Sequence, residues 1–271
     1  MTVLPPSVPV AAGRPAPLRA FTADLLLAAG ILLLVSLAAG IAWGALRGVM
    51  LSLEAAKSGQ AAASGADLAA RIGQPGALTQ LLMAMLSTGA AALVLYFWRR
   101  RASAAERAFS HQQLRRPVTW GWIFGVAGVV FAGSSAIAWL GRQFGIEPTP
   151  TNLPLMQQAM AQFPVFLAVF AIALAPAYEE LLFRRVLFGR LWAAGKPVLG
   201  LVLSSLAFAF LHEVPFLSDR TMAETAQLWL VYGGMGAAFA GLYWRTGTLW
   251  APVIAHGINN TIALAALYMG A

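Results

Sequence analysis

The run Leu25–Leu46 contains no charged residue, and an unbroken apolar stretch of about 20 residues is what a helix needs to cross a bilayer. It is too long for the core of a signal peptide, about 7–15 residues. Similar stretches follow at Ala77–Trp98, Val118–Leu140, Phe163–Trp192, Val198 to His212 or Leu217, Leu228–Trp244 and Thr248–Met269. Hydrophobic residues make up 59% of the 271 and charged residues 10%, whereas an ordinary globular domain is about one-quarter charged. Such a chain has too little polar surface for a soluble fold. The expected class is all-α, a polytopic transmembrane helix bundle of about seven to eight spans.

Three regions are expected. Residues 1–20, rich in Pro and Ala, read as a disordered tail, 21–162 as an N-terminal transmembrane region and 163–269 as the core that carries the chemistry. Residues 47–76 and the Pro-containing 141–162 read as loops outside the membrane, and 99–117, with six arginines, as a basic loop on the cytoplasmic side. With seven spans and the N-terminus inside, thirteen of the 18 Lys and Arg fall in inner segments and five in outer ones, the asymmetry that sets membrane orientation. That distribution accounts for the net charge of +8 without nucleic acid as a partner. The absence of cysteine excludes disulfides and thiolate metal sites or nucleophiles. An Ala- and Arg-rich chain without organelle signals reads as a protein of a bacterial cytoplasmic membrane.

Ionisable groups inside a span are costly and mark function. Glu179 and Glu180 end the apolar run that begins at Phe163, and Arg184 and Arg185 follow. Residues four apart are neighbours on a helix, so Glu180 pairs with Arg184 and leaves Glu179 free. Phe208 and His212 share a face in the same way, as do His256 and Asn260. Counted from the inner helix ends, Glu179 lies roughly 16 Å in, His256 roughly 10 Å and His212 roughly 20 Å. A tilted or late-starting fifth helix is needed to bring His212 to Glu179. A glutamate balanced between burial and a neighbouring cation is suited to take a proton from water. A histidine can share that proton, and a second His with an Asn one turn on offers two donors for an oxyanion. The plainer alternatives are a structural ion-pair cluster for the Glu and Arg residues and interhelical polar contacts for His256 and Asn260. Gly233, Gly234 and Gly236 are expected to allow close helix packing.

The pattern Glu-Glu-x-x-x-Arg at 179–184, Phe-x-x-x-His at 208–212 and His-x-x-x-Asn at 256–260 resembles the CPBP intramembrane proteases, which comprise the CAAX prenyl endopeptidases and the bacteriocin-processing or Abi proteins. The resemblance covers roughly 163–268. It implies an intramembrane endopeptidase with a cavity open to the cytoplasm, acting on a peptide or membrane-protein substrate within the lipid bilayer, cleavage near the C-terminus of a prenylated protein being one of the reactions it implies. Carried over, Glu179 with His212 activates water, His256 and Asn260 stabilise the oxyanion, and Glu180, Arg184 and Phe208 support the site. The family is often labelled metallopeptidase. No HExxH motif is present, but Glu179, His212 and His256 offer the carboxylate and two nitrogens of a zinc site, so catalysis with and without a divalent metal both stay open. The alternative function is a non-proteolytic scaffold or bacteriocin self-immunity protein.

Overall fold

Within hydrocarbon every backbone N–H and C=O must find its partner inside the segment, which leaves the helix as the natural form for such apolar runs. The computed structural model describes residues 16–59, 61, 63–215 and 219–269. Ten helices and no strand occur among the described residues: α1 (Pro17–Lys57), α2 (Gly65–Ile72), α3 (Ala77–Arg99), α4 (Ala104–Leu114), α5 (Pro117–Gln143), α6 (Leu153–Gln162), α7 (Pro164–Trp192), α8 (Pro197–His212), α9 (Met222–Thr246) and α10 (Trp250–Met269). Proline opens α1, α5, α7 and α8, where its missing N–H costs nothing and its fixed φ suits the first turn. Reciprocal Ser103/Glu106 and Thr221/Glu224 bonds cap α4 and α9.

Four helices, α1, α3, α5 and α7, are long and apolar enough to cross a membrane. Large apolar side chains face outward on them, among them Leu33, Leu34 and Leu37 of α1 and Phe124 and Val129 of α5. In a water-soluble protein such a surface would aggregate, so the chain is an integral membrane protein. The three remaining expected spans are also helical. The 16 residues of α8 extend roughly 24 Å, short of the ~30 Å hydrocarbon core. His256, Asn259 and Asn260 interrupt the apolar run of α10, which carries no charged residue.

Several sequence expectations need correction. Residues 1–15 of the expected tail lie outside the described residues, but 17–20 already belong to α1. The first helix runs on to Lys57, and its 41 residues extend roughly 60 Å, about twice the hydrocarbon thickness. No proline interrupts 47–57 and the single Gly48 costs only about 1 kcal/mol, so the helix continues. The basic segment after α3 folds into α4, and the loop 141–162 contains α6. Leu217 lies outside the described residues.

Helix α7 lies at the centre, packed against α3, α8 and α10, with its C-terminal half also meeting α1 and α9. Leu182, Phe183, Val186, Leu187 and Leu191 of α7 join Phe21, Leu95 and Phe208 in one buried cluster. On the other side of the bundle, Ile123, Met235, Phe239, Ala251 and Ala255 unite α5, α9 and α10. Of the three glycines singled out from sequence, Gly236 meets the expectation: a Cβ there would stand 2.9 Å from the Ser205 Cα, whereas Gly234 has open space. The α8–α9 pair closes on Gly236.

Candidate active site

The central helix is widened twice, at Phe170–Leu174 and at Leu181–Phe188, on either side of the short α-helical piece that carries Glu179 and Glu180. Such π turns are concentrated at functional sites, and here the first has an identifiable cause. The Ala175 N–H reaches back five residues to the Phe170 carbonyl. In the same register the next donor would be residue 176, which is proline and has no N–H. The orphaned Ala171 carbonyl instead accepts from Asn260 Nδ2 at 2.8 Å. A proline in one helix thus creates the acceptor that fixes an asparagine of another.

Gly257 allows that approach. A Cβ at this position would lie 2.6 Å from the Ile172 carbonyl oxygen, a clash with backbone that no rotamer change relieves. Close contact between α7 and α10 brings the neighbouring His256 against the carboxylate pair. Its Nδ1 lies 3.1 Å from Glu180 Oε1, and its Nε2 faces Glu179 Oε2 at 3.8 Å. The His256 ring stacks on Phe239 at 5.1 Å and meets the edge of Phe208 at 6.0 Å.

Glu180 and Arg184 are both fully buried and paired as expected, with Arg184 Nε 2.7 Å from Oε2 and Nη2 donating to Oε1 at 3.2 Å. The guanidinium lies among the rings of Phe208, Phe183 and Phe239, nearest Phe208 at 5.0 Å. Aromatic faces attract the cation, so an arginine becomes tolerable in an otherwise apolar interior.

The remaining histidine also reaches the site. His212 Nε2 stands 3.8 Å from Glu179 Oε2, the same separation as His256. Counted from the helix ends at Trp192 and Pro197, Glu179 lies roughly 20 Å in and His212 roughly 22 Å, so the fifth span starts no later than expected and the two depths agree. The His212 ring is held between Phe208 at 4.2 Å and Tyr232 at 4.6 Å, and Nδ1 donates to the Phe208 carbonyl at 2.9 Å. Each imidazole therefore spends Nδ1–H on an acceptor, which turns Nε2 towards Glu179. Six of the seven residues chosen from sequence are thus linked side chain to side chain, and the seventh, Asn260, lies one turn beyond His256 with its amide on the Ala171 carbonyl.

Three further groups were missed from sequence. Tyr232, one face of the His212 sandwich, belongs to an aromatic-rich helix with nothing to single it out. Directly after His212, buried Glu213 accepts from Thr151 N at 2.9 Å and Oγ1 at 2.6 Å, pairs with Arg220, and its carbonyl accepts from Trp229 Nε1. This network ties the α5–α6 connection to the end of α8. At the opposite end of the bundle, fully buried Asp24 of α1 binds Arg99 of α3 and Arg190 of α7. A lone acid beside an apolar run was the available signal, since such a group needs a partner.

Glu179, His212 and His256 supply the donor types of a zinc site and have second-sphere acceptors on both imidazoles. Among the described residues, however, no group of three His, Asp or Glu side chains is arranged to hold a metal ion. Glu179, His212 and His256 do not form a ready-made metal site.

A helical membrane protein that converges two histidines on a glutamate, backed by a buried Glu–Arg pair, has the makings of a hydrolytic centre. Residues 161–262, the stretch that holds all three motifs, match the family described as Type II CAAX prenyl endopeptidase Rce1-like, and the resemblance read from those motifs is borne out. Among curated proteins the chain is similar to YdiL of Bacillus subtilis (strain 168), named as a membrane peptidase, at 31% identity over 121 residues, covering 45% of either chain. It is also similar to the membrane-embedded CAAX protease MroQ of Staphylococcus aureus (strain USA300), at 32% over 128 residues, 45% of this chain and 47% of MroQ. The match spans about half the length of these relatives. No solved structure matches.

Proposed function

We propose that the protein is an intramembrane endopeptidase that hydrolyses a peptide bond with water activated by Glu179 and His212. The observation that carries this reading is the convergence of both His Nε2 atoms on one Glu179 oxygen at 3.8 Å. That gap is too long for a direct hydrogen bond and suits a bridging water. In the reaction Glu179, with His212, takes a proton from water as its oxygen attacks the peptide carbonyl carbon. Negative charge then builds on the carbonyl oxygen, where the second N–H of the Asn260 amide and the Nε2–H of a doubly protonated His256, its Nδ1–H still on Glu180, serve as donors. The proton passes to the leaving nitrogen, the C–N bond breaks, and a carboxylate and an amine result. Glu180 and Arg184 hold His256, and Phe208 with Tyr232 holds His212.

The substrate class proposed is a peptide or membrane protein embedded in the bilayer, with prenylated C-termini the first to try because the domain match and MroQ both bear the CAAX designation. The arginine-rich end of the bundle would face the cytoplasm of a bacterial cell, N-terminus inside, and the bundle would have seven spans.

The test is cleavage of a quenched-fluorescence prenylated CAAX peptide, then of a panel of membrane-embedded peptides, by purified wild type, Glu179→Gln and His256→Ala. Cleavage by wild type and its loss in both variants supports the assignment. Cleavage of nothing in either set by wild type, or equal cleavage by both variants, overturns it and favours a scaffold or immunity role. A chelator arm reads the metal question: zinc on Glu179, His212 and His256 would make activity chelator-sensitive and restorable by zinc.

A further inference from the structure

On the side of α7 away from Glu179, Ala177, Leu181 and Arg185 recur every fourth residue and line a cavity of about 310 Å³, within the usual size range of small-molecule sites. Its other walls come from α4 and from the α9–α10 turn, with Phe109, Tyr243 and Trp250 prominent. None of Glu179, His212, His256 or Asn260 lines it. The α4 wall is pinned at several points. Glu106 takes both terminal nitrogens of Arg185 at 2.9 and 3.0 Å, and Ser110 hydrogen-bonds Thr248 at 2.7 Å. Phe109 packs on Gly247, whose φ is +68° and where a Cβ would stand 2.8 Å from the ring. The cavity is therefore preformed.

Its walls are mostly apolar, yet its mouth is cationic. Between residues 99 and 116 stand six arginines and one acid, Glu106, and that acid is occupied by Arg185. Arg107 and His111, one turn apart on α4, line the cavity while exposed to solvent. Just behind, Arg100 Nε is buried without a hydrogen-bond partner. Burial, together with the like charges of Arg185 and Arg190, pulls Arg100 down to about 10, as expected where positive charge is in excess.

An apolar chamber with a cationic mouth, placed where the span α3 ends, matches one kind of molecule. We propose that this cavity binds an anionic phospholipid from the surrounding leaflet, its phosphate at Arg107 and His111 and the start of an acyl chain between Leu181, Phe109 and Trp250. Basic pockets at the ends of transmembrane helices hold lipid headgroups in this way. A water-soluble anion would gain nothing from the apolar walls, and a neutral lipid nothing from the arginines.

The test is native mass spectrometry of the full chain in neutral detergent, titrated with phosphatidylglycerol or phosphatidylcholine, with inorganic phosphate as competitor. Phosphatidylglycerol should bind at least about tenfold more tightly than phosphatidylcholine. Arg107→Glu with His111→Glu should remove that preference, Arg107→Lys should keep it, and Val253→Trp should abolish binding by filling the chamber. The two charge reversals lie on an exposed face, so folding does not confound them. Equal affinity for the two lipids, an unchanged preference after charge reversal, or displacement by millimolar phosphate alone would overturn the proposal. The readout needs no peptide cleavage, so it stands or falls separately from the protease assignment.

Discussion

His256 Nδ1 and Glu180 Oε1 lie 3.1 Å apart inside the protein, and this contact gives the buried ion pair a second role. Glu180 balances Arg184 and also sets which nitrogen of His256 faces Glu179. The two roles separate experimentally. Glu180→Gln leaves Arg184 charged and unpaired in an apolar interior, which costs about 3–5 kcal/mol. Replacing both, as Glu180→Leu with Arg184→Met, should restore most of the thermal stability. Cleavage should stay low in the double variant because the His256 Nδ1 no longer has its acceptor. Melting temperature in detergent and peptide cleavage, measured on the same samples, check both halves.

Tyr232 acts through His212 rather than on substrate. Removing one side of the ring sandwich in Tyr232→Leu frees the imidazole, and misplacing a reacting group by about 1 Å costs on the order of 100-fold. The expected result is a fall in kcat of about 10- to 100-fold with little change in KM, while Tyr232→Phe, which keeps the stack, remains near wild type. Steady-state kinetics on a cleavable peptide distinguish this from general destabilisation, which would lower the active fraction in both variants.

The Asp24 cluster should matter for stability and not for chemistry. Asp24→Asn removes the charge that holds Arg99 and Arg190 together, a charged hydrogen-bond loss of about 1.5–3 kcal/mol. A lower melting temperature with unchanged activity per folded molecule is expected, read from thermal unfolding and cleavage rate.

How far these features were legible in the sequence depends on the distance over which their causes act. Glu180–Arg184, Phe208–His212 and His256–Asn260 are each four residues apart, so helix geometry alone announced them. That Glu179 meets two histidines from different helices was suggested by motif order, and the span ends read from sequence, Trp192 and Val198, lie within one residue of those of α7 and α8, but helix lengths alone do not show which faces meet. Asp24, Glu213 and Tyr232 gain their roles from partners 75, 62 and 20 positions away, and no periodicity encodes such pairings. The first π turn follows from Pro176 together with Asn260, a combination that requires knowing which two helices touch.

Glu106 links α4 to α7 in a pH-dependent way. Burial alone would raise its carboxyl, but the hydrogen bond and charge of Arg185, with the capping hydrogen bonds of Ser103, outweigh this and hold it below the usual carboxylate value of 4.5. A depressed folded value means that the stabilisation is complete above 4.5 and is lost as pH falls through the folded value. Wild type should therefore exceed Glu106→Gln in melting temperature by a constant margin from pH 6 to 8. The margin should shrink below about pH 4. A margin that grows on acidification would contradict the pairing with Arg185.

Gly257 offers the sharpest test of the α7–α10 contact. In Gly257→Ala the new methyl group would begin 2.6 Å from the Ile172 carbonyl oxygen, and because that atom is backbone the helices must part by roughly 1 Å to restore ordinary contact. Parting them pulls Asn260 from the Ala171 carbonyl and His256 from both glutamates, so activity should fall by about 100-fold while stability drops by only about 1–3 kcal/mol. Gly234→Ala is the matched control, since nothing stands within 4 Å of a Cβ there. Alanine is the better helix former by about 1 kcal/mol, so the control should be as active as wild type and slightly more stable. Cleavage rate and melting temperature of the two variants decide the matter. If Gly257→Ala retained full activity, close approach of the helices at Ile172 would not be what assembles the site.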